Sequence, residues 1–387
     1  MPWKAYPMSQ LRLALAHAVR TANVPLAHAA GRFGVSRKTA YKWLARFDAA
    51  QVDAAPADAG ISLDDRSRRP ARSPRRTDAA LQQLILDARD RYGWGGRKLH
   101  AYLTAQGHHL PSARTTHAIL VRNDRIGSPP ADPAPLQHFE RPQPHDLWQA
   151  DHKGPVEVAR RDHFPLVVLD DHSRFCLALH DCIDKTMARV WNVLWQAFEE
   201  FGLPKAFLSD NAFGTTFDVP KTLSWIDAQL VLLGIAPLHG RPYHPQTQGK
   251  VERFNGTLER EALCRTVRTD CEQHFAADLH DFRDLYNHTR PHEALGDKPP
   301  VSRFAKSPRA RPAQLPAAES FYPPGSELRK VGSSGDVRFE RGRILAGRGL
   351  AGQTVRIERR EGEVAVYFAW KQIRRISMDR LAQSGML

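Results

Sequence analysis

The chain has 387 residues, 42% of them hydrophobic, which is enough for two to four domains and at least one substantial core. Lysine and arginine number 56 against 42 acidic residues, a net charge of +14. That surplus favours a polyanionic partner, because cations that neutralise phosphates release condensed counterions. No stretch approaches the roughly 18 apolar residues of a membrane helix, so no membrane partner is expected. The four cysteines form no CxxC pair, which disfavours a zinc site and predicts a reduced, cytoplasmic setting.

Residues 1–60 are predicted to form a helix-turn-helix domain. Residues 9–47 indicate three short helices, and the last two flank a tight turn that ends at Ser36, a good N-cap. Positions i, i+3, i+4 and i+7 of the last helix are apolar, namely Ala40, Trp43, Leu44 and Phe47. The basic face at its start would meet the DNA major groove: Ser36, Arg37, Lys38, Tyr41 and Lys42. The alternative is a generic helical bundle with a solvated basic face.

An arginine-rich linker is predicted at 61–76. Residues 1–80 carry 14 Lys and Arg against 6 Asp and Glu, and a segment of this composition is expected to be extended and unable to bury a core. An extended arginine arm suits the narrow minor groove, although a solvated linker fits nearly as well. The arginines assigned to DNA contact are Arg66, Arg68, Arg69, Arg75 and Arg76.

Residues 77–128 repeat the helical design and are predicted to form a second helix-turn-helix-like domain. Thr77 is expected to cap a helix with Leu84, Ile85 and Ala88 on one face, and Ser112 to cap a later helix. Two such units suggest bipartite recognition of a long DNA site. A bundle that only supports the next domain is the alternative. A proline-rich linker follows at 129–144.

Residues 145–305 contain the predicted catalytic region. Three antiparallel strands are expected first, with LWQADHKGPVEV as one strand and RRDH as a turn, and then helix–strand–helix–strand–helix. This order describes a ribonuclease H-like mixed α/β core. Asp151 falls in the first strand, Asp210 at the end of the fourth, and Glu252 on the last helix, beside its buried stripe. Neighbouring strands would bring the two aspartates side by side.

Three carboxylates on two strands and a helix suit Mg²⁺, which prefers hard oxygen ligands. Two such ions roughly 4 Å apart can activate a nucleophile and stabilise the leaving oxygen of a phosphodiester. Asp170 and Asp171 are alternatives to Asp151, although we expect them to shape a turn. Glu259 and Glu261 share the helix of Glu252 and are predicted to be solvated.

Positively charged or titratable side chains flank Glu252. His244, Lys250 and Arg253 are candidate contacts to the DNA backbone, with ordinary surface positions as the alternative. His239 is expected only to pack at a strand end. Residues 320–380 alternate in polarity between glycine-rich turns, which predicts a small all-β, barrel-like domain of about five strands. Residues 325–375 carry 12 Lys and Arg against 6 Asp and Glu, so DNA contact and a structural cap both remain open.

Several blocks of the chain resemble one family. GIAPLHGRPYHPQTQGKVERFNGTLERE closely resembles the third catalytic block of bacterial insertion-sequence DDE transposases with a retroviral-integrase-type core. WQADHKG and LSDNAFG look like the first and second blocks, and YNHTRPHEALGDKPPVSRF is similar to the segment after the core. The upstream helical pair and GWGGRKLH also match. The resemblance therefore covers most of residues 10–305.

The resemblance implies that Asp151, Asp210 and Glu252 are the catalytic and metal-binding triad, holding two Mg²⁺ or Mn²⁺ ions per active site. It implies that water exposes a 3′-hydroxyl at the element end, and that this hydroxyl attacks a target phosphodiester. The implied partners are double-stranded DNA (terminal repeats and target) and further copies of the chain that pair two ends. Residues 213–225 look like a small insertion between Asp210 and Glu252. An inactive DNA-binding descendant and a ribonuclease H-type nuclease are the alternatives.

Overall fold

The computed structural model describes residues 7–53, 63–65, 76–126, 140–209, 222–239, 249–340 and 342–383. The chain divides into two compact units, residues 1–76 and residues 77–387, called here the first and the second unit. Among the helices in the described ranges, none is both long and apolar enough to cross a membrane.

The described part of the first unit contains three helices: α1 (Met8–Arg20), α2 (Leu26–Arg32) and α3 (Arg37–Asp53). Trp43, Leu44 and Phe47 of α3 are buried, as the apolar spacing predicts. Leu63 joins this core with 3% of its surface exposed, and its carbonyl accepts a hydrogen bond from Arg12 at 2.9 Å. The arginine-rich segment was expected to have no core of its own, and Leu63 instead joins the core of the helices, because a leucine gains by leaving water.

The second unit begins with a helical bundle: α4 (Ala79–Tyr92), α5 (Gly96–Ala105) and α6 (Ala113–Arg122). Ser112 caps α6 as predicted. The cap of α4 is Asp78 rather than Thr77, because the Asp78 carboxylate accepts a hydrogen bond from the Ala80 amide at 2.9 Å. A Cβ at Gly96 would lie 2.7 Å from the His117 Cα, so the missing side chain permits close packing of α5 on α6.

A five-stranded sheet follows, with the order β5-β4-β1-β6-β7. The strands of this region are β1 (Trp148–His152), β2 (Val156–Val158), β3 (Arg161–His163), β4 (Leu166–Asp170), β5 (Cys176–His180), β6 (Ala206–Ser209) and β7 (Ala236–His239). β4 pairs antiparallel with β1 and β5, whereas β6 pairs parallel with β1 and β7. The mixed sheet that the strand and helix order predicts is thus confirmed.

Two details of the predicted sheet are wrong. The expected first strand ends at His152, and β2 and β3 form a separate antiparallel hairpin. Most of the expected RRDH turn is strand β3. The actual turn is Ala159–Arg160, where both residues have positive φ values of 47° and 67°. A tight two-residue hairpin turn of this type needs positive φ at both residues. Glycine and asparagine are the residues that indicate such a turn in a sequence, and neither occurs at these two positions.

Helices cover both faces of the sheet: α7 (Met187–Phe201), α8 (Trp225–Leu232), α9 (Gly249–Leu258) and α10 (Glu272–Asp284). Val168 of β4 packs into a core with residues of α7 and α8, whereas Val167 and Leu169 pack into a core with α9 and α10. A strand buried on both faces needs an unbroken apolar run, which explains the sequence LVVL. A π-helical turn, Glu259–Leu263, continues α9.

The C-terminal part contains strands and a short helix: β8 (Glu327–Lys330), β9 (Asp336–Phe339), β10 (Gly342–Leu345), β11 (Thr354–Arg360), β12 (Glu363–Phe368), β13 (Lys371–Ser377) and α11 (Met378–Gln383). Among its described residues it has six strands rather than about five, in a four-stranded sheet β13-β12-β11-β8 and a pair β10-β9. Its core includes Val231 of α8, and the Trp370 indole donates to the Val231 carbonyl at 2.7 Å. The predicted fold class is confirmed: helix-turn-helix units, a ribonuclease H-like core and a small all-β module.

Candidate active site

Asp151 lies near the end of β1, in the middle of the sheet. It is half-buried and stands opposite Val167 of β4. On its other side β1 pairs with β6, and the described register ends with Ala150 opposite Ser209. Asp210, the residue after Ser209, lies outside the described residues.

Helix α9 carries Glu252 next to this strand. Its buried stripe consists of Val251, Phe254 and Leu258, as predicted, and packs against the sheet. The Asn255 side-chain amide donates a hydrogen bond to Asp151 Oδ2 at 3.1 Å. Glu252 is exposed, and it shares a helix face with Asn255 because residues three apart are neighbours on an α-helix. The face of α9 that bears Glu252 therefore adjoins Asp151.

The chemistry of this donor set fits a divalent cation. Carboxylate oxygens are the ligands that Mg²⁺ and Mn²⁺ accept. A hydrogen bond from a neighbouring amide commonly orients a metal-binding carboxylate, and Asn255 provides such a bond to Asp151. Asp151 and Glu252 are thus suitable ligands on adjoining elements, and Asp210 belongs to the same predicted set.

Asp170 and Asp171 have structural roles. Both are fully buried. Asp170 accepts hydrogen bonds from the His145 amide at 2.8 Å and from the Ser173 amide and hydroxyl at 2.8 and 2.6 Å. Asp171 accepts from the Gln149 side chain at 2.6 Å. Carboxylates held by so many protein donors shape the turn after β4, which favours Asp151 over them as the candidate ligand.

The three predicted backbone contacts near Glu252 differ. Lys250 is paired with Asp171, and its ammonium also donates to the Asp171 carbonyl at 3.1 Å. Burial lowers the pKa of Lys250, and the bond to Asp171 partly opposes this. Arg253 is exposed on α9, whereas His244 lies outside the described residues. Lys250 thus braces the turn after β4, and its contact with DNA stays a prediction, like that of Arg253 and His244.

Glu261 is a residue whose role the sequence did not reveal. The prediction that it is solvated is wrong, since only 13% of its side chain is exposed. It accepts hydrogen bonds from Trp94, Lys98 and Arg290. Burial would raise the pKa of Glu261, but Arg290 and then Lys98 outweigh burial and lower the pKa to about 2. These donors belong to the segments GWGGRKLH and NHTRPHEAL. The sequence of either segment alone does not indicate that it binds Glu261.

Glu259 follows the last residue of α9, and His239 is the last residue of β7. Glu259 is 45% exposed and pairs with Lys153 at 3.0 Å, so it lies at the surface as predicted. His239 does more than pack at a strand end, because its Nε2 lies 3.1 Å from the buried Asp227 carboxylate. Asp227 also forms a reciprocal capping box with Ser224 at the start of α8.

Four of the predicted DNA-contact residues of the first unit lie on the outside of α3. Ser36 accepts a hydrogen bond from the Thr39 amide at 3.1 Å, which confirms it as the cap. The side chains that follow it on this face are exposed: Arg37, Lys38, Tyr41 and Lys42. Arg76 is exposed too, and the remaining arginines of the linker lie outside the described residues: Arg66, Arg68, Arg69 and Arg75. Contact of this whole set with DNA stays a prediction.

Comparisons with known proteins agree with this architecture. Two family profiles described as "Integrase core domain" match residues 141–245 and 233–300, and one described as "Homeodomain-like domain" matches residues 39–120. The "Insertion element IS476 uncharacterized 39.2 kDa protein" of Xanthomonas euvesicatoria is 28% identical over 264 residues, which cover 66% of this chain and 72% of that protein.

Solved structures with some likeness include two retroviral proteins. The HTLV-2 integrase catalytic core domain in complex with magnesium is 15% identical, with 42% of this chain and 99% of that chain covered and a TM-score of 0.33. The catalytic core domain of BIV integrase is 23% identical, with 41% and 92% covered and a TM-score of 0.31.

Residues 141–300, which contain the mixed sheet, are thus similar to integrase core domains, and residues 39–120 are similar to homeodomain-like domains. The resemblance to bacterial insertion-sequence DDE transposases with such a core is thereby confirmed.

Proposed function

We propose that the protein is a DNA transposase that binds the terminal repeats of its element and catalyses metal-dependent strand cleavage and strand transfer. The observation that supports this best is the hydrogen bond from Asn255 to Asp151. It fastens the helix of Glu252 to the strand of Asp151, so two carboxylates from distant parts of the chain lie on adjoining elements.

Asp151, Asp210 and Glu252 form the proposed ligand set for two Mg²⁺ or Mn²⁺ ions. When bound, such a pair activates a nucleophile and stabilises the leaving oxygen in an in-line displacement. Asn255 orients Asp151 by donating to Oδ2. The buried side chains of Val251 and Phe254 orient α9 against the sheet, which supports Glu252 as a ligand on the side of Asp151.

The proposed reaction has two displacements at phosphorus. Water first attacks the phosphodiester at the element end, and the 3′ oxygen leaves and takes up a proton as a hydroxyl. That hydroxyl then attacks a target phosphodiester and loses its proton, and a target 3′ oxygen leaves and takes up a proton. Each step exchanges one P–O bond for another, so no further reagent is consumed.

DNA binding is assigned to the exposed face of α3. Its first turn presents Arg37 and Lys38, with Tyr41 and Lys42 in the second, and helices in this position of a helix-turn-helix lie in the major groove. The active species is proposed to be a homo-oligomer that pairs two element ends. Sizing of the complex with bound DNA ends tests this, and a monomeric complex would contradict it.

Cleavage of end-labelled terminal-repeat DNA in Mg²⁺ tests the activity. Loss of a residue that hydrogen-bonds to a metal ligand lowers activity by up to roughly 100-fold. Loss of a ligand itself should cost more. Asp151→Asn, Asp210→Asn and Glu252→Gln should therefore each lower the cleavage rate by more than this factor, while binding to the terminal repeat persists. Asp162→Asn, on the exposed part of the β2–β3 hairpin, is the matched control and should cleave normally. Tight binding by the wild-type protein without nicking would indicate a non-catalytic DNA-binding protein. Hydrolysis of RNA in hybrids would indicate a nuclease.

A further inference from the structure

Glu261 is held by three donor side chains that saturate both carboxylate oxygens. Arg290 binds it in a bidentate way, with distances of 2.6 Å to Oε2 and 2.7 Å to Oε1. The Trp94 indole donates to Oε2 and the Lys98 ammonium to Oε1, both at 2.9 Å. Only 7% of the Arg290 side chain is exposed. Charge-assisted, bidentate bonds shielded from water are the strongest and most directional class of protein hydrogen bond.

The donors come from two regions far from Glu261 in sequence. Trp94 precedes α5 and Lys98 lies within it, so both belong to the α4–α6 bundle. Trp94 is 1% exposed, stacks on Tyr92 at 4.5 Å and meets Tyr102 edge-on at 5.4 Å. Arg290 ends the π-helical turn after α10. One carboxylate therefore joins the bundle, the catalytic-core helix and the segment after the core, and we call this set the Glu261 clamp.

Glu261 also shares a continuous helical rod with Glu252. α9 ends at Leu258, which keeps helical backbone angles of −54° and −46°, and the π-helical turn follows without a break. Nine residues at about 1.5 Å each separate the two glutamates by roughly 13 Å along the axis. Near Glu252 the rod is held by Asn255 and the sheet, and at its far end by the Glu261 clamp. Short π-helical segments within helices are often found at functional sites.

We propose that Glu261 is a positioning residue for Glu252. By fixing the far end of the rod to the α4–α6 bundle, the Glu261 clamp sets the tilt of α9 and hence the place of the Glu252 carboxylate beside Asp151. The bundle thus acts on the active site through α9. This inference rests on the proposed function, in which Glu252 binds metal, but its structural half can be tested without any catalysis.

The test compares Glu261→Gln with Glu259→Gln in the full chain. Glu261→Gln keeps the side-chain size and one oxygen acceptor but leaves Arg290 and Lys98 without a negative partner. Glu259 lies on the same π-helical turn, yet its pair with Lys153 is at the surface. Hydrogen exchange of residues 249–258, without DNA or metal, should speed up about 10-fold or more in Glu261→Gln, as expected for local opening of a loosened element. It should stay unchanged in Glu259→Gln.

The second measurement is cleavage as a function of Mg²⁺ concentration. In Glu261→Gln the half-saturating Mg²⁺ concentration should rise about 10- to 100-fold, the range for lost outer partners of metal ligands, and high Mg²⁺ should restore most of the rate. A merely structural loss would lower the rate at every Mg²⁺ concentration without moving the half-saturation point. Affinity for terminal repeats should not change.

Unchanged exchange in 249–258, or an unchanged Mg²⁺ dependence in an active protein, would overturn the proposal. If the wild-type protein does not cleave, the proposed function fails, and the exchange experiment alone then decides whether the Glu261 clamp holds α9. If Glu261→Gln does not fold, Trp94→Phe replaces it, since it keeps an aromatic ring and removes one donor. Exchange in 249–258 should rise in that variant too, and normal exchange would contradict the proposal.

Discussion

The α1–α3 unit and the α4–α6 bundle have similar sequences of elements and different surroundings. In the first, the basic residues at the start of α3 are exposed, and Arg37 and Lys38 form no ion pair with any residue that the structure describes. In the second, Arg97 pairs with Glu293 and Asp297 beyond the core, and Lys98 pairs with Glu261. The cations at the start of α3 are therefore exposed, whereas those at the start of α5 are already paired with carboxylates.

The difference bears on the expectation of bipartite DNA recognition. A cation already bonded to a carboxylate has lost much of its capacity to neutralise a phosphate. The contacts of the α4–α6 bundle with Glu261 and with the segment after the core favour the supporting role that the sequence left open. The first unit, with its own core around Phe47, is the better candidate for reading DNA.

The largest effects should come from core truncations in the two units. Phe47→Ala and Leu99→Ala each remove a buried side chain, at a cost of roughly 2–5 kcal/mol. Hydrogen exchange should show loss of protection in Phe47→Ala within residues 8–53 only. In Leu99→Ala it should extend from the bundle into 249–263, because the Glu261 clamp links them. Loss confined to 79–122 would contradict that link.

Acid should destabilise the second unit through two groups. Burial and then Arg290 lower the pKa of His292 from 6.5 to about 3, and the pKa of Glu261 falls from 4.5 to about 2. Both groups have a lower pKa in the folded state than in the unfolded state. The contribution of each group to the free energy of unfolding is therefore complete above its unfolded pKa and is lost as the pH falls through its folded pKa. The free energy of unfolding should therefore decline from about pH 6.5 to pH 2.

Urea denaturation at a series of pH values measures this decline. Glu261 should contribute on the order of 3 kcal/mol to the free energy of unfolding at neutral pH. This contribution should be lost between pH 4.5 and about 2. Glu261→Gln should flatten the curve in that window and leave the His292 part between pH 6.5 and about 3 in place. An unchanged slope in the variant would mean that Glu261 does not carry this acid sensitivity.

Paired charge removals test which helices bind DNA. Arg37→Ala with Lys38→Ala should lower affinity for the terminal repeats and reduce the salt slope of log K by about 1 to 2, since each lost phosphate contact is worth about 0.9. Arg114→Ala with Arg122→Ala, two exposed arginines of α6, is the matched control and should change neither. An equal loss in the α6 pair would restore bipartite recognition.

The smallest effects should follow removal of one helix cap in each unit. Ser36→Ala removes the cap of α3, and Asp78→Ala removes the cap of α4, each at about 1 kcal/mol. Titration of terminal-repeat DNA should show weaker binding for Ser36→Ala only, because the first turn of α3 bears Arg37 and Lys38. Weaker binding in Asp78→Ala would indicate that α4 also positions a DNA-binding surface.

Local patterns predicted much of the fold correctly. The i, i+3, i+4, i+7 spacing identified the buried face of α3, because the face of a helical turn is determined by a few neighbouring residues. Errors arose where backbone geometry departs from residue preference. Ala159 and Arg160 adopt positive φ without glycine, so the β2–β3 hairpin could not be foreseen.

The sequence by itself determined most of the order of elements, the positive charge and the three carboxylate-bearing blocks, since composition and short-range periodicity depend only on neighbours along the chain. The tertiary structure alone decided that Asn255 meets Asp151, that Lys250 is tied to Asp171, and that Glu261 joins Trp94, Lys98 and Arg290. Whether a charged residue is solvated or buried depends on partners up to 167 positions away, because a buried ion needs an opposite charge and hydrogen bonds to offset the cost of leaving water.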